Sequence, residues 1–141
     1  MAFLLDTMAL SELTKSHPNM GFMKWLSGAA ASETFIASPT IGEIESGITL
    51  LANSAKRRRL TAWLDDLLDQ FGERILPFDT DAARVWGRSI ALARRNGFVL
   101  PVVDAQLASI GVVNGLTVVS RNLKHFNARY FDGLETLSPW T

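Results

Sequence analysis

The chain has 141 residues, 14 Lys and Arg against 14 Asp and Glu, two His, no Cys, and 48% hydrophobic content. Lack of cysteine excludes disulfides, cysteine-ligated zinc or iron–sulfur sites and thiol nucleophiles, and two histidines are too few for a His-rich metal site. Zero net charge argues against nucleic-acid binding through bulk positive charge, which leaves local patches. The composition is that of a folded globule and fits a reducing compartment without demanding one, and the length suits one domain, residues 1–141, burying roughly 68% of the unfolded chain's surface.

Phe3-Leu4-Leu5 is an apolar run ending in Asp6, the pattern of a strand covered on both faces. It is too short for a signal-peptide core, and nowhere do ~18 apolar residues run together, so the expectation is a cytoplasmic chain without a membrane span. Ala9 to Lys15 reads as a short helix closed by the His17-Pro18-Asn19 turn. Met20, Met23, Trp25 and Leu26 line a second helix ending near Ala31. Phe35-Ile36-Ala37 is the next strand, and Ser38 as N-cap with Pro39 at the first helical position starts a helix carrying Ile41, Ile44, Ile48 and Leu51. Ala55 to Phe71 is a long amphipathic helix with Leu60, Trp63, Leu64, Leu67 and Leu68 inside, ended by Gly72.

Arg74 to Pro77 is a short strand. Thr80 caps a helix over Asp81 to Asn96, acidic at its start and basic at its end as the macrodipole favours, with Gly97 closing it. Val103 to Val113 is a helix with Asp104 in its first turn and Asn114-Gly115 at its close. Leu116 to Ser120 and Glu135 to Leu137 are the last strands. Strands alternating with helices predict an α/β fold, a central parallel sheet flanked by helices.

In such a sheet ligands bind where the carboxyl ends of the strands emerge. Asp6 follows the first strand, Glu43 lies near the start of the helix after the second, Asp104 opens a later helix, and Asn122 follows the Leu116–Ser120 strand. Three carboxylates and an amide oxygen meeting there form a set of hard oxygen donors suited to Mg²⁺ or Mn²⁺. A metal so held lowers the pKa of a bound water and stabilises charge on a phosphate, and a carboxylate outside its coordination shell can take the water's proton. Each acid alone has an equally ready structural use, as a dipole-complementing or turn residue.

Lys56-Arg57-Arg58-Arg59 is the densest basic run; it reads first as a solvated face balanced by Asp65, Asp66 and Asp69, and second as a contact for RNA phosphates or a partner. Arg121, beside Asn122, is better placed to hold a phosphate through its rigid donor fork. Trp25, Trp63 and Trp86 sit at helical spacing with other apolar residues and belong to core or interface; Trp140 is the tryptophan least expected to be buried. His125 lies in a polar loop and is expected at the surface, although an imidazole can serve as acid or base. Glu45, about 200° around the helix from Glu43, should stand outside the pocket, at its rim.

These segments, in order and spacing, resemble the PIN-domain family, and within it the VapC-type toxin ribonucleases and their FitB-like branch. The resemblance runs from Phe3-Leu4-Leu5-Asp6-Thr7 through Ser38-Pro39-Thr40-Ile41-Gly42-Glu43 with Gly47, Arg74-Ile75-Leu76-Pro77-Phe78-Asp79, Asp104-Ala105-Gln106-Leu107-Ala108 and Val118-Val119-Ser120-Arg121-Asn122 to Ser138-Pro139-Trp140. It implies a single PIN-like domain and a Mg²⁺- or Mn²⁺-dependent endoribonuclease. It also implies a homodimer held inactive by a cognate antitoxin chain and meeting DNA only through that partner. By the same resemblance Asp6 and Asp104 are the primary metal ligands, Glu43 completes the acidic pocket, and Asn122 stands at the family's fourth polar position. Two residues depart from the pattern: Met8, where members usually carry Asn, Ser or Cys, and His125, where many carry Asp. They motivate an alternative, a weakly active or inactive PIN domain that serves as the dimerising subunit of a DNA-binding repressor complex. A receiver-like or phosphatase use of Asp6 is disfavoured, because Thr7-Met8 places no second acid beside the first strand.

Overall fold

Phe3–Leu5 forms β1 and is buried along its whole length, as an uninterrupted apolar run requires. It lies at the centre of the sheet in a computed structural model that describes residues 1–141. Thr34–Ala37 (β2) and Ile75–Leu76 (β3) extend the sheet on one side, Thr117–Val119 (β4) and Glu135–Leu137 (β5) on the other. All pairings are parallel, in the order β3-β2-β1-β4-β5, with Phe3 facing both Thr34 and Thr117 and Leu5 facing Val119. Chain progression therefore runs outward in opposite directions from β1 and β4. Between those two strands the connections diverge and open a crevice at the sheet's carboxyl edge.

Six helices cover the sheet: Thr7–Glu12 (α1), Met20–Gly28 (α2), Ser38–Thr49 (α3), Ala55–Phe71 (α4), Thr80–Arg95 (α5) and Val102–Asn114 (α6). Side chains alternate along the strands and divide the core in two. Phe3, Leu5, Ile36 and Val119 pack with Leu10, Phe22, Ile44, Ile48, Leu64 and Leu67 of α1 to α4. Leu4, Ala37 and Val118 pack with Ala82, Ala93, Leu107 and Ile110 of α5 and α6. Gly111 lets α6 press onto β4, since a Cβ there would meet Val118 Cγ2 at 3.0 Å. Gly115 takes the left-handed conformation (φ 65°) that closes α6. No helix is long and apolar enough to cross a membrane.

The expected α/β architecture is the observed one, and α4 and β5 have the expected bounds. Four helix starts differ, that of α6 by one residue, at Val102. Asp6, not a residue nearer Ala9, caps α1: its Oδ1 accepts from the Ala9 N–H at 2.8 Å, so the helix begins at Thr7 and is finished by Glu12, before Lys15. The N-cap of α3 is Ala37 and makes no side-chain cap bond; Ser38 is already helical and Pro39 follows it in the first turn. Asp79, rather than Thr80, caps α5, accepting from Ala82 N at 2.9 Å, because a carboxylate in extended backbone reaches that amide. α2 ends at Gly28, short of Ala31, where a separate single turn of 3₁₀ helix begins.

Trp140 departs from expectation. It is part-buried, stacks on Phe22 with ring centroids 4.5 Å apart, and its Nε1–H donates to Glu12 Oε1 at 2.9 Å. Glu12, which no local pattern singles out, is 3% exposed. Its carboxylate also accepts from Lys15 Nζ and from the backbone N–H of Asn19, each at 3.1 Å. These bonds, the Trp140 donor foremost, hold its carboxyl below the usual glutamate range. A buried charge is thus met by three donors, which tie the C-terminal tail to α1.

Candidate functional site

A pocket of about 230 Å³ opens in the crevice and is lined by Asp6, Thr7, Met8, Glu43, Asp104, Ser120, Asn122 and His125. The fold explains why these residues meet. β1 delivers Asp6 at its carboxyl end, and β4 delivers Ser120 and Asn122 at the neighbouring end. The second turn of α3 brings Glu43 from behind β2, and the first turn of α6 brings Asp104. Asp6 serves two purposes at once. One carboxylate oxygen caps α1, and the pocket receives the same side chain, so the structural and functional readings of this residue are compatible.

Asp6 is 2% exposed. Burial raises its pKa to about 6; hydrogen bonds from Ser120 and the Ala9 amide oppose the rise, while the charges of Asp104 and Glu43 add to it. Burial also raises the pKa of Asp104, and Glu43 adds to that rise, whereas His125 lowers it by charge and by hydrogen bonding. The pocket is therefore a place where negative charge is crowded and poorly hydrated.

Glu43 is tethered but exposed: the Thr7 hydroxyl donates to its Oε1 at 2.6 Å and lies 3.4 Å from the Thr40 hydroxyl. One oxygen is thereby fixed in direction, and the other has no side-chain or backbone donor. His125 is the residue the sequence reading misplaced. It sits in the pocket, not merely at the surface, with Nδ1 2.9 Å from Asp104 Oδ2 and Nε2 3.2 Å from Asn122 Nδ2. Nδ1 is placed to donate to Asp104, and Nε2 faces the Asn122 amide. The ring therefore bridges two residues of the site. A turn of 3₁₀ helix over Leu123–His125, started by Asn122, folds the ring back, and no spacing rule links positions 104 and 125.

Arg121 is exposed and does not line the pocket. Glu45 is exposed and outside it, as the helical angle from Glu43 requires. Thr7 and Ser120 were not singled out from sequence, although their places beside Asp6 and Asn122 were the available signal.

The donor set suits a hard divalent cation. Asp6 and Asp104 offer carboxylate oxygens whose ionisation burial and mutual repulsion oppose, and a cation relieves that opposition. No three of the acid and imidazole side chains close on a single point. The three carboxylates expected to meet are thus not one ligand set, and a Mg²⁺ ion, which usually takes only one or two carboxylates, would be held by Asp6 and Asp104.

The PIN-domain family profile matches residues 3–131. The plasmid stability protein StbB of Pseudomonas syringae pv. tomato is 30% identical over 138 residues, 97% of each chain. The VapC ribonuclease Y4jK of Sinorhizobium fredii is 28% identical over 97% of this chain and 96% of its own, and Toxin FitB of Neisseria gonorrhoeae 29% identical over 97% of each. The solved structure of FitAB bound to an IR36 DNA fragment superposes with a TM-score of 0.88 at 27% identity, over 99% of this chain and 96% of that one. By its fold, its ordered motifs and these matches, the chain belongs to the PIN-domain family.

Proposed function

We propose that this PIN domain is a Mg²⁺- or Mn²⁺-dependent endoribonuclease acting as the toxin of a toxin–antitoxin pair. The observation that carries the reading is that Asp6, Glu43 and Asp104 all line one pocket at the carboxyl edge of the sheet, with Asp6 and Asp104 the pair placed to share an ion. Asp6 and Asp104 would hold the ion, which when bound acidifies a water and offsets charge on the scissile phosphate. Glu43 orients the attacking water with the carboxylate oxygen that Thr7 leaves free and accepts its proton. Asn122, on the pocket wall, positions the phosphate, and Arg121, exposed beside it in sequence and outside the pocket, is a weaker phosphate contact. In the step itself the water oxygen bonds to phosphorus and one phosphate ester bond breaks. The water's proton goes to Glu43, and the leaving oxygen takes a proton from solvent.

The substrate class and the biological role are supported by relatives named VapC ribonuclease and Toxin FitB. FitAB, solved on a DNA fragment, supports a separate antitoxin chain as partner, through which DNA is met. The family resemblance adds a homodimer working in the cytoplasm. A second reading, a weakly active or inactive domain that serves the repressor complex, is favoured by one observation. Asp104 Oδ2 is engaged by His125, at the position where many members carry another acid.

The partner-free chain incubated with total cellular RNA separates the two. The nuclease reading expects cleavage with Mg²⁺ or Mn²⁺, none with EDTA, and none by an Asp6→Ala/Asp104→Ala variant. A well-folded chain that cuts no RNA under any of these conditions would establish the second reading instead.

A further inference from the structure

The acid pocket is the first of three clefts that share walls. Thr7 and Glu43 also border a groove of about 200 Å³ between α1, α3 and α4. Thr14 and Leu60 border both that groove and a wider basin of about 680 Å³, whose other lining includes Lys15, Lys56 and Arg59. Thr7, Ser11 and Thr14 line the groove together with the apolar Ile44, Ile48, Leu60 and Trp63; the Thr7 hydroxyl donates to Glu43 and that of Thr14 to the Ser11 carbonyl. The helical part of the path, Thr7 to Glu12, rises about 7.5 Å, roughly two stacked nucleotides of one strand, and the turn to Lys15 extends it. Trp63 of α4, half-buried, forms an apolar wall midway on which a base can stack.

The charges at the far end are unspent. Lys15 pairs with Glu12, but Lys56 and Arg59 have no carboxylate within ion-pairing distance. Asp65, Asp66 and Asp69 of the same helix begin six residues beyond Arg59, roughly 9 Å along its axis. Lys56, Arg58 and Arg59 of the basic run are exposed, as expected of a solvated face, and none of these acids pairs with the run directly. The first turn of α4 holds no acid, so nothing local neutralises the cluster either. A helix on its own prefers acids at that end.

Resting on the ribonuclease reading, we infer that this track is the binding path for the RNA strand flanking the cleaved bond. Lys56 and Arg59, with Lys15, hold backbone phosphates, Thr7, Ser11 and Thr14 line the floor, and Trp63 takes a base. Its chemistry is sequence-independent contact with single-stranded RNA, which positions the strand and leaves the choice of cut to the pocket.

The test is fluorescence anisotropy of a short fluorescein-labelled single-stranded RNA of mixed sequence, in EDTA over a series of salt concentrations. The full chain is compared with Lys56→Ala/Arg59→Ala and with Arg94→Ala/Arg95→Ala, an equal charge change at the end of α5. The inference expects roughly tenfold weaker binding for the first variant at low salt, and a log–log salt slope shallower by about 1.4, with the second variant unchanged. Equal affinity and slope in the first variant, or equal loss in both, overturns it and leaves a protein contact as the use of the patch. Cleavage of total RNA by the unaltered chain is scored separately. Cutting without dependence of binding on Lys56 and Arg59 removes the track and spares the ribonuclease reading; dependence without cutting does the reverse.

Discussion

Replacing Asp6 by Asn removes the most unfavourably placed charge in the molecule while keeping its shape and its cap. Asn is as good an N-cap as Asp, so the Ala9 N–H retains an acceptor. The charge is costly because the side chain is 2% exposed and faces Asp104 and Glu43. Its pKa rises from 3.8 to about 6 on folding. At about 1.4 kcal/mol per unit, ionising it in the folded state costs about 3 kcal/mol. The sign follows from linkage. Below the unfolded value, neither state ionises and nothing is lost. As pH climbs from about 4 to about 6 the unfolded chain releases its proton first, and folding stability falls, with the full loss present above the folded value. Urea unfolding in EDTA should therefore find the variant more stable than the unaltered chain near pH 7, by up to about 3 kcal/mol, with the gap closing toward pH 4. Millimolar Mn²⁺ should narrow or reverse the gap, since an ion that binds only the folded chain stabilises it by about 2.7 kcal/mol at a hundred times its Kd. A variant less stable than the unaltered chain near pH 7, or a gap that does not change with pH, refutes the claim that Asp6 is held ionised against its surroundings.

Glu43→Gln should lower kcat for RNA cleavage by roughly 10²–10⁴ while metal affinity changes little, as expected of a base outside the metal's coordination shell, measured by single-turnover kinetics beside Mn²⁺ titration. His125→Ala deprives Asp104 of the ring that orients it. Mn²⁺ affinity should drop by roughly 10–100-fold with the unfolding midpoint nearly unchanged, because the imidazole is 43% exposed in its side chain and contributes little to the core. Trp140→Phe keeps the ring stacked on Phe22 but removes the donor to buried Glu12, at a cost of roughly 1.5–3 kcal/mol in urea unfolding at neutral pH. Because the folded Glu12 carboxyl lies below its unfolded value, that loss should shrink as pH falls through the folded pKa.

The architecture was legible where apolar periodicity was long or bounded by strong breakers. Ala55–Phe71 has five large apolar residues on one face with Gly72 behind it, and its limits follow from those alone. Helix starts were less legible because adjacent residues offer equivalent chemistry. Asp79 and Thr80 can both cap α5, and tertiary placement of the backbone chooses between them. Ser38 has the side chain of a cap, yet the chain enters the helix one residue earlier and its hydroxyl is not needed. In the site, Asp6, Glu43, Asp104 and Asn122 were readable because each lies at an element end or within the first two turns of a helix. His125 was not, because its approach to Asp104 depends on how a loop 21 residues away folds back. Glu12 and Trp140 meet across 128 positions, a contact that no local pattern encodes.

Every chemical step assigned to this chain depends on the acid pocket being a cation site. Calorimetric titration of Mn²⁺ into the purified chain and into Asp6→Ala/Asp104→Ala near neutral pH tests that dependence without reference to any substrate. The account predicts saturable binding of a single ion per chain, absent from the variant. No binding to the unaltered chain, or binding that survives the double substitution, would contradict it.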